Sequence, residues 1–98
     1  MEKLYVVVRT DLGMSIQYQG VQGGHALAQW LIENPNQTWN NDYLIYLQTD
    51  KMDELMFKLD LKKIKYSKFI EPDLGDKLTA ISLQTEDKIM EKLKLMGE

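Results

Sequence analysis

The amino-acid sequence predicts a single α/β domain over residues 1–98, with helices packed on a four-stranded mixed sheet. Two observations predict this fold class. Short apolar segments alternate with segments of helical periodicity along the chain, as they do in α/β proteins. A chain of 98 residues also builds one hydrophobic core rather than two, and no linker, repeat or low-complexity tract divides it.

The first half of the chain predicts a strand followed by a long helix. Residues 3–9, KLYVVVR, place consecutive apolar residues between charges, which is typical of a strand buried on both faces. A glycine-containing loop then leads to a helix from about Ile16 to Glu33. Its apolar stripe, expected to face the core, is formed at the helical period by Val21, Ala28, Leu31 and Ile32, with Leu27 and Trp30 alongside.

Three glycines, Gly20, Gly23 and Gly24, lie in the first half of this helix. Each costs about 1 kcal/mol relative to alanine in a helix, so their presence calls for a reason. Two explanations stand together at this point. One is close packing of the helix on the sheet, and the other is close approach of a ligand to the helix backbone.

The second half predicts three strands and two helices. They are a strand over residues 43–47, a helix over 51–59 capped by Asp50, strands over 64–70 and 78–83, and a final helix capped by Thr85. The element order is therefore β-α-β-α-β-β-α, in which a strand-helix-strand unit gives parallel neighbours and the short turn between the last two strands gives an antiparallel hairpin. The final helix would carry Ile89, Leu93 and Met96 on one stripe. Together with two tryptophans, this stripe exceeds what so small a core hides and predicts a homo-oligomer.

Composition limits the compartment and the partners. The chain has no cysteine, which excludes disulfides and thiolate metal sites and fits a cytoplasmic protein. No apolar run approaches the ~20 residues that cross a bilayer, and the N-terminus lacks a signal-peptide layout, so no membrane partner is expected. A single histidine gives no metal site, and no cofactor is predicted. Acidic residues outnumber basic ones, 15 to 12, so the net charge of the chain repels nucleic-acid phosphates. This argues against a large nucleic-acid partner and says little about a small ligand.

Residues 6–28, VVVRTDLGMSIQYQGVQGGHALA, combine a strand that ends in R-x-D-L with a glycine loop and Q-x-x-H-A at the start of a helix. This segment resembles the opening of the type II peptidyl-tRNA hydrolases, with Arg9, Asp11, Gln22, His25 and Ala26 in matching register. Residues 69–83, FIEPDLGDKLTAISL, are similar to the acidic turn of that family and the L-T-A segment after it. The resemblance covers nearly the whole chain and implies the fold of that family.

The chain departs from the family at the positions that carry its chemistry. The family has lysines in a G-K-G-K arrangement before the helix, where this chain has Ser15, Ile16, Gln17 and Tyr18. The family also has an aspartate followed by A-G-x-T, where Glu71 is followed here by Pro72 in a turn about four residues shorter. Lysine holds a phosphate or polarises an ester carbonyl, and neither Ile16 nor Tyr18 supplies that charge.

We predict a ligand site at the carboxyl end of the first strand, where α/β sheets place their sites. The predicted ligand-binding residues are Arg9, Asp11, Tyr18, Gln22, Gly23, Gly24 and His25. Four of these side chains also have a structural interpretation: a salt bridge between Arg9 and Asp11, packing of Tyr18, and a hydrogen bond from His25 to a strand end. The acidic turn of Glu71, Asp73 and Asp76 is expected to be solvated.

Two functions from different classes follow. In the first, the protein is a non-catalytic module that binds or sequesters a nucleotide-like or phosphorylated small molecule, with no catalytic residues and no metal. In the second, implied by the resemblance, it is a peptidyl-tRNA hydrolase that cleaves the ester between peptide and tRNA, using His25, Asp11 and Arg9. The missing lysines and the acidic net charge favour the first function.

Overall fold

The computed structural model describes residues 2–98 as one compact α/β domain, as predicted. The strands are β1 (Lys3–Arg9), β2 (Leu44–Thr49), β3 (Ser67–Glu71), β4 (Lys77–Thr85) and β5 (Lys94–Leu95), and the helices are α1 (Ile16–Glu33) and α2 (Met52–Leu61). Two short 3₁₀ turns, Pro72–Leu74 and Lys88–Lys92, complete the described part of the chain. No helix within residues 2–98 has the length and apolar character needed to span a bilayer.

The sheet is mixed and has five strands in the order β3-β4-β1-β2-β5. The central strand β1 runs parallel to β2 and antiparallel to β4, and β3 pairs antiparallel with β4. Alternate residues of β1 enter separate cores on the two faces of the sheet, as the continuous apolar run predicts. Tyr5 and Val7 pack on the α2 side, whereas Val6 and Val8 pack on the α1 side.

The prediction of four strands and a final helix is wrong. Asp87 accepts a hydrogen bond from the backbone N–H of Ile89 and caps only a 3₁₀ turn, after which the chain becomes extended at Leu93. Residues 94–95 then pair with β2, because the edge of β2 offers backbone groups that an added strand satisfies. Ile89 and Leu93 therefore pack in the α2-side core and Met96 in the α1-side core, so the apolar stripe on which the homo-oligomer was predicted does not form.

The buried face of α1 also differs from the prediction. Val21, Leu31 and Ile32 are 52%, 38% and 72% exposed. The residues that face the sheet are Gln19, Gln22, Gly23, Ala26 and Trp30. The helix turns this face inward because Gly23 and Ala26 allow close approach and because Gln22 finds polar partners in the sheet. Val21, Ala28, Leu31 and Ile32 are thus left on the solvent side, whereas Leu27 and Trp30, expected alongside them, pack toward the sheet.

Smaller differences concern the ends of elements. Asp50 does not cap α2, which begins at Met52 after Lys51 and has no side-chain cap. Strand β3 begins at Ser67 rather than at residue 64, because Lys63 has a positive φ of 57° and the N–H of Ile64 bonds back to the carbonyl of Leu59 to close α2. In α1, by contrast, Ser15 is the N-cap and its hydroxyl accepts from the N–H of Tyr18.

Candidate functional site

The candidate site lies where β1 ends and α1 begins, beside the turn that joins β3 to β4. Its polar residues come from three elements: the end of β1, the first two turns of α1, and the facing ends of β3 and β4. This is the carboxyl edge of the central strand, the place at which α/β sheets commonly form their sites.

Arg9 and Asp11 form a bidentate ion pair at this edge. The Arg9 Nε atom lies 2.9 Å from Asp11 Oδ1 and its second terminal nitrogen lies 2.7 Å from Oδ2, while the other terminal nitrogen donates to the carbonyl of Leu78 at 3.2 Å. Hydrogen bonding and charge raise the pKa of Arg9 and lower that of Asp11. A guanidinium has five N–H donors, so three of them serve the protein and two remain for another acceptor.

Gln22 is fully buried and links two strands through its side-chain amide. Its nitrogen donates to Glu71 Oε1 at 2.8 Å, and its oxygen accepts from the Thr79 hydroxyl at 2.6 Å. Because a carboxylate only accepts and a hydroxyl donates here, the amide orientation is fixed by its partners. The amide thereby anchors α1 to both strands of the β3–β4 hairpin.

Glu71 is the centre of this polar network. Besides Gln22, its carboxylate accepts from the Tyr18 hydroxyl at 3.3 Å and from the backbone N–H of Asp73 at 3.2 Å. These donors, the Gln22 amide foremost, hold the pKa of Glu71 below its ordinary value of 4.5. The carboxylate is therefore ionised at neutral pH, and its contribution to stability is lost only as pH falls through the lowered pKa. Burial, together with the charge of Glu71, raises the pKa of Tyr18.

His25 lies one helical turn beyond Gln22 and is exposed. Its ring stacks on Phe69 of β3, with the centroids 4.5 Å apart and the planes inclined by 11°. Because the rings lie face to face, Phe69 covers one face of the imidazole, and the exposed His25 presents its other face as an aromatic surface. Such a surface accepts a further planar ring by stacking.

The structure distinguishes between the two explanations for the helix glycines, which are close packing on the sheet and close approach of a ligand. A Cβ atom at Gly23 would lie 2.6 Å from the ring of Tyr46 and 3.0 Å from Val6, so Gly23 serves close packing of the helix on the sheet. Gly20 and Gly24 have open space where a Cβ would stand. Gly24 is exposed on the side of α1 away from the sheet.

The structure joins some of the predicted residues and leaves others apart. Tyr18 and Gln22 meet on Glu71, and Arg9 reaches the same part of β4 through Leu78.

Three residues of the cluster, Glu71, Thr79 and Phe69, were not predicted as site residues. The expectation that the acidic turn is solvated is wrong for Glu71, which is buried, and holds for Asp73 and Asp76, which are exposed. Alternation along β3 carries the missing signal, because Ser67, Phe69 and Glu71 all face α1.

The side chains of Tyr18, Gln22, Glu71 and Thr79 hydrogen-bond to one another beside the stacked rings of His25 and Phe69. Within residues 2–98, no three histidine, cysteine or acidic side chains are grouped to hold a metal ion. A groove of about 370 Å³ lies near the ends of β1 and β2, with Thr10, Thr49 and Lys94 in its lining. A second groove, of about 590 Å³, lies at the far end of α1 around Trp30 and Lys65.

Comparisons with known proteins inform the fold. No protein-family model matches the sequence, and no curated protein matches it either. Among solved structures, the chain is similar to a protein of unknown function, Atu0240, from Agrobacterium tumefaciens strain C58. The TM-score is 0.68 with 14% sequence identity, and the match covers 96% of each chain. At this identity the likeness extends to the fold alone.

Proposed function

We propose that this protein is a non-catalytic binding module on a fold like that of the type II peptidyl-tRNA hydrolases, and that it holds a nucleotide-like or phosphorylated small ligand. The observation that carries the proposal is the state of Glu71. Its carboxylate is ionised and accepts from Gln22, Tyr18 and the Asp73 N–H, so it serves as a fixed acceptor within the protein. A general base needs to reach a proton of the substrate, and these contacts direct the carboxylate toward the protein instead.

Two features at this edge suit a nucleotide, one on each side of the sheet: Arg9 follows the residues of β1 that face α2, and His25 lies on α1. The remaining N–H donors of Arg9 can hold a phosphate oxygen while the ion pair with Asp11 keeps the guanidinium in place. The exposed His25 ring, supported by Phe69, offers a stacking surface for a base. The ligand is thus expected to lie across the end of β1 and the second turn of α1, without touching the buried Gln22.

The proposal is tested by identifying what the protein retains from cells and by measuring its binding. We expect denaturation of the purified protein to release a nucleotide-like compound that mass spectrometry identifies. Calorimetry with purified mononucleotides and dinucleotides should then reproduce its binding. Arg9→Ala should weaken that binding ten- to hundredfold, since a charged hydrogen bond contributes about 1.5–3 kcal/mol. Asp76→Asn is the matched control, because Asp76 is exposed and asparagine tolerates its φ of 60°. Equal loss of affinity in both variants would place the ligand elsewhere.

The alternative function is hydrolysis of peptidyl-tRNA by Arg9, Asp11 and His25, and the sequence resemblance alone favours it. The position of the basic residues favours small-ligand binding instead. A groove of about 500 Å³ lies between α2 and the 3₁₀ turn that follows β4, and four lysines line it: Lys58, Lys62, Lys88 and Lys92. These elements pack on the face of the sheet opposite α1, so these lysines lie away from Tyr18, Gln22 and His25, where tRNA phosphates would need them, although Lys92 also lines the groove beside Thr10 at the end of β1.

We expect purified protein to cleave peptidyl-tRNA no faster than a buffer control. The loop that precedes α1 carries no lysine, and Ile16 and Tyr18 cannot stabilise a developing negative charge. The measurement is release of free tRNA at a low ratio of protein to substrate, with His25→Ala beside the wild-type chain. Many turnovers per molecule that His25→Ala abolishes would establish the hydrolase and refute the binding module.

A further inference from the structure

Three grooves along α2 share lining residues and form one continuous surface. The groove of about 370 Å³ at the ends of β1 and β2 shares Thr49 with a groove of about 200 Å³, which lies between α2 and the 3₁₀ turn Lys88–Lys92. The smaller groove in turn shares Ile89 with the groove of about 500 Å³ that reaches Leu61, the last residue of α2. Lys92 lines all three, and together they are named the α2 groove.

The α2 groove is basic, although the chain as a whole is acidic. Six of the twelve basic residues of the chain line it: Lys51, Lys58, Lys62, Lys88, Lys92 and Lys94. Three of the fifteen acidic residues line it: Asp50, Glu54 and Asp87. The rest of the chain therefore holds six basic and twelve acidic residues, so positive charge is concentrated in this one surface. A partner of complementary charge is negative.

Most of these lysines have no acidic partner within the protein. Lys58 pairs with Glu54 at 3.2 Å. Lys62 pairs with Asp87 at 3.3 Å. The other four lysines of the α2 groove are exposed and form no ion pair within residues 2–98. Ion pairs between exposed side chains are weak, so all six ammonium groups can serve the carboxylates of a partner.

Apolar residues line the α2 groove among its lysines. Leu55, Ile89 and Leu93 line its middle part and pack in the α2-side core. Leu61 lines its far end and is 68% exposed. A partner that carries only negative charge leaves Leu61 in water, whereas one that also carries apolar side chains covers it. The chemistry of this surface therefore fits a partner that is both acidic and apolar.

Length and charge distribution indicate a peptide. The ten residues of α2 span about 15 Å, a length that an extended chain covers with about five residues at about 3.3 Å each. Lys51 precedes α2 and Lys62 follows it, so positive charge extends over the whole length. A fatty acid carries one carboxylate at one end and matches only one of these ends. Single-stranded nucleic acid stacks its bases on aromatic side chains, and none is found among the described residues that line the groove.

We propose that the α2 groove binds a short, extended segment of a partner protein in which acidic and apolar residues alternate. Alternate side chains of an extended chain point to opposite sides, so its apolar side chains contact Leu61 and Leu93 together. The long lysine side chains of α2 and of the 3₁₀ turn then reach the acidic residues from both walls of the groove. This interaction is additional to the proposed nucleotide site, because Gln22 and His25 lie on the other face of the sheet.

The test is fluorescence anisotropy of a labelled peptide of about ten residues, alternating glutamate and leucine, which is long enough to span the groove. We expect saturable binding to the full-length protein that weakens as salt is added, because the charges on both partners are exposed. Two peptides of equal length serve for comparison. One replaces each glutamate with lysine and the other replaces each leucine with serine, and both should bind at least about tenfold more weakly.

Two variants test the surface itself, with circular dichroism to confirm that each is folded. Lys92→Glu reverses the charge common to all three grooves and should raise the dissociation constant about tenfold or more. Leu61→Ser removes the exposed apolar contact and should raise it about tenfold. Lys77→Glu is the matched control, since it makes the same change in net charge. Lys77 is exposed, lines none of the three grooves and pairs in register with Glu71, which faces α1.

Binding that withstands Lys77→Glu and is weakened by both groove variants supports the proposal. Equal weakening by Lys77→Glu and Lys92→Glu would show attraction to net charge alone and would overturn it. It is also overturned if the wild-type protein does not bind the glutamate-leucine peptide up to about 1 mM, or if the serine peptide binds as tightly. Tighter binding of single-stranded RNA or of anionic phospholipid vesicles than of the peptide would assign the groove to those partners instead.

Discussion

Gln22→Ala is expected to lower the free energy of unfolding by about 2–4 kcal/mol, a large share of the stability of a small domain. The substitution removes a fully buried amide that satisfies two partners, Glu71 and Thr79. Both partners keep their polar atoms but lose a hydrogen bond inside the protein, and the space left by the amide adds a cavity. Urea unfolding followed by circular dichroism measures the change.

Gln17→Ala is the matched control for this experiment. Gln17 is also a glutamine in the first turns of α1, but it is exposed. We expect its substitution to change stability by less than about 0.5 kcal/mol, as is usual for surface positions. If Gln22→Ala matched Gln17→Ala, the amide would contribute nothing to holding the helix on the hairpin.

A double-variant cycle separates the network from the cavity. Thr79→Val keeps the side-chain shape and removes the hydroxyl that donates to Gln22. Because the two residues share one hydrogen bond, the sum of the two single losses in the free energy of unfolding should exceed the loss in the double variant by about 0.5–3 kcal/mol. Additive effects would show that the hydrogen bond from Thr79 contributes nothing to the effect of Gln22→Ala.

Local sequence patterns were enough to predict the central elements of the fold. The apolar run of β1, the helical period of α1 and the turn between β3 and β4 are each visible within a few residues. The fifth strand was not predictable in this way, because residues 94–95 form a strand only by pairing with β2, which lies far away in the sequence. The pattern of Ile89, Leu93 and Met96 fits a helix equally well, and the free edge of β2 decides against it.

The orientation of α1 is a second feature that local sequence patterns did not predict. Periodicity identifies an apolar side, and this side was expected to be buried. The side that is buried carries Gln22, whose partners Glu71 and Thr79 lie 49 and 57 residues away in the sequence. A polar residue is stable in a core only when such partners exist, and a single helix gives no sign of them. The outer apolar side is then left exposed to solvent.

The candidate site was partly predictable for a related reason. Its location follows from topology, since the strand that begins the domain ends at the carboxyl edge of the sheet. The ion pair of Arg9 and Asp11 is local and was foreseen as a structural alternative. Glu71 was misjudged because acidic residues in a turn are usually solvated, whereas this one ends a strand whose alternate residues face α1.

Gly23 and Gly24 are adjacent in α1, and alanine at these two positions is expected to have opposite effects on stability. Alanine relieves the conformational cost of glycine in a helix, by about 0.5–1 kcal/mol. At Gly24 nothing opposes this gain, because the position where a Cβ would stand is open. Gly24→Ala should therefore raise the free energy of unfolding by about that amount.

At Gly23 the same methyl group would lie 2.6 Å from the Cε2 atom of Tyr46 and 3.0 Å from Cγ1 of Val6. The helix must then move away from the sheet or Tyr46 must turn, and such overpacking costs about 1–3 kcal/mol. Because Val6 is fully buried on the central strand, the cost is expected to exceed the gain. Gly23→Ala should lower the free energy of unfolding by about 1–2 kcal/mol. The double variant Gly23→Ala/Tyr46→Ala removes the obstructing ring, so Gly23→Ala should cost less in the Tyr46→Ala background than alone. Equal stability of Gly23→Ala and Gly24→Ala would show that α1 does not rest on the sheet at Gly23.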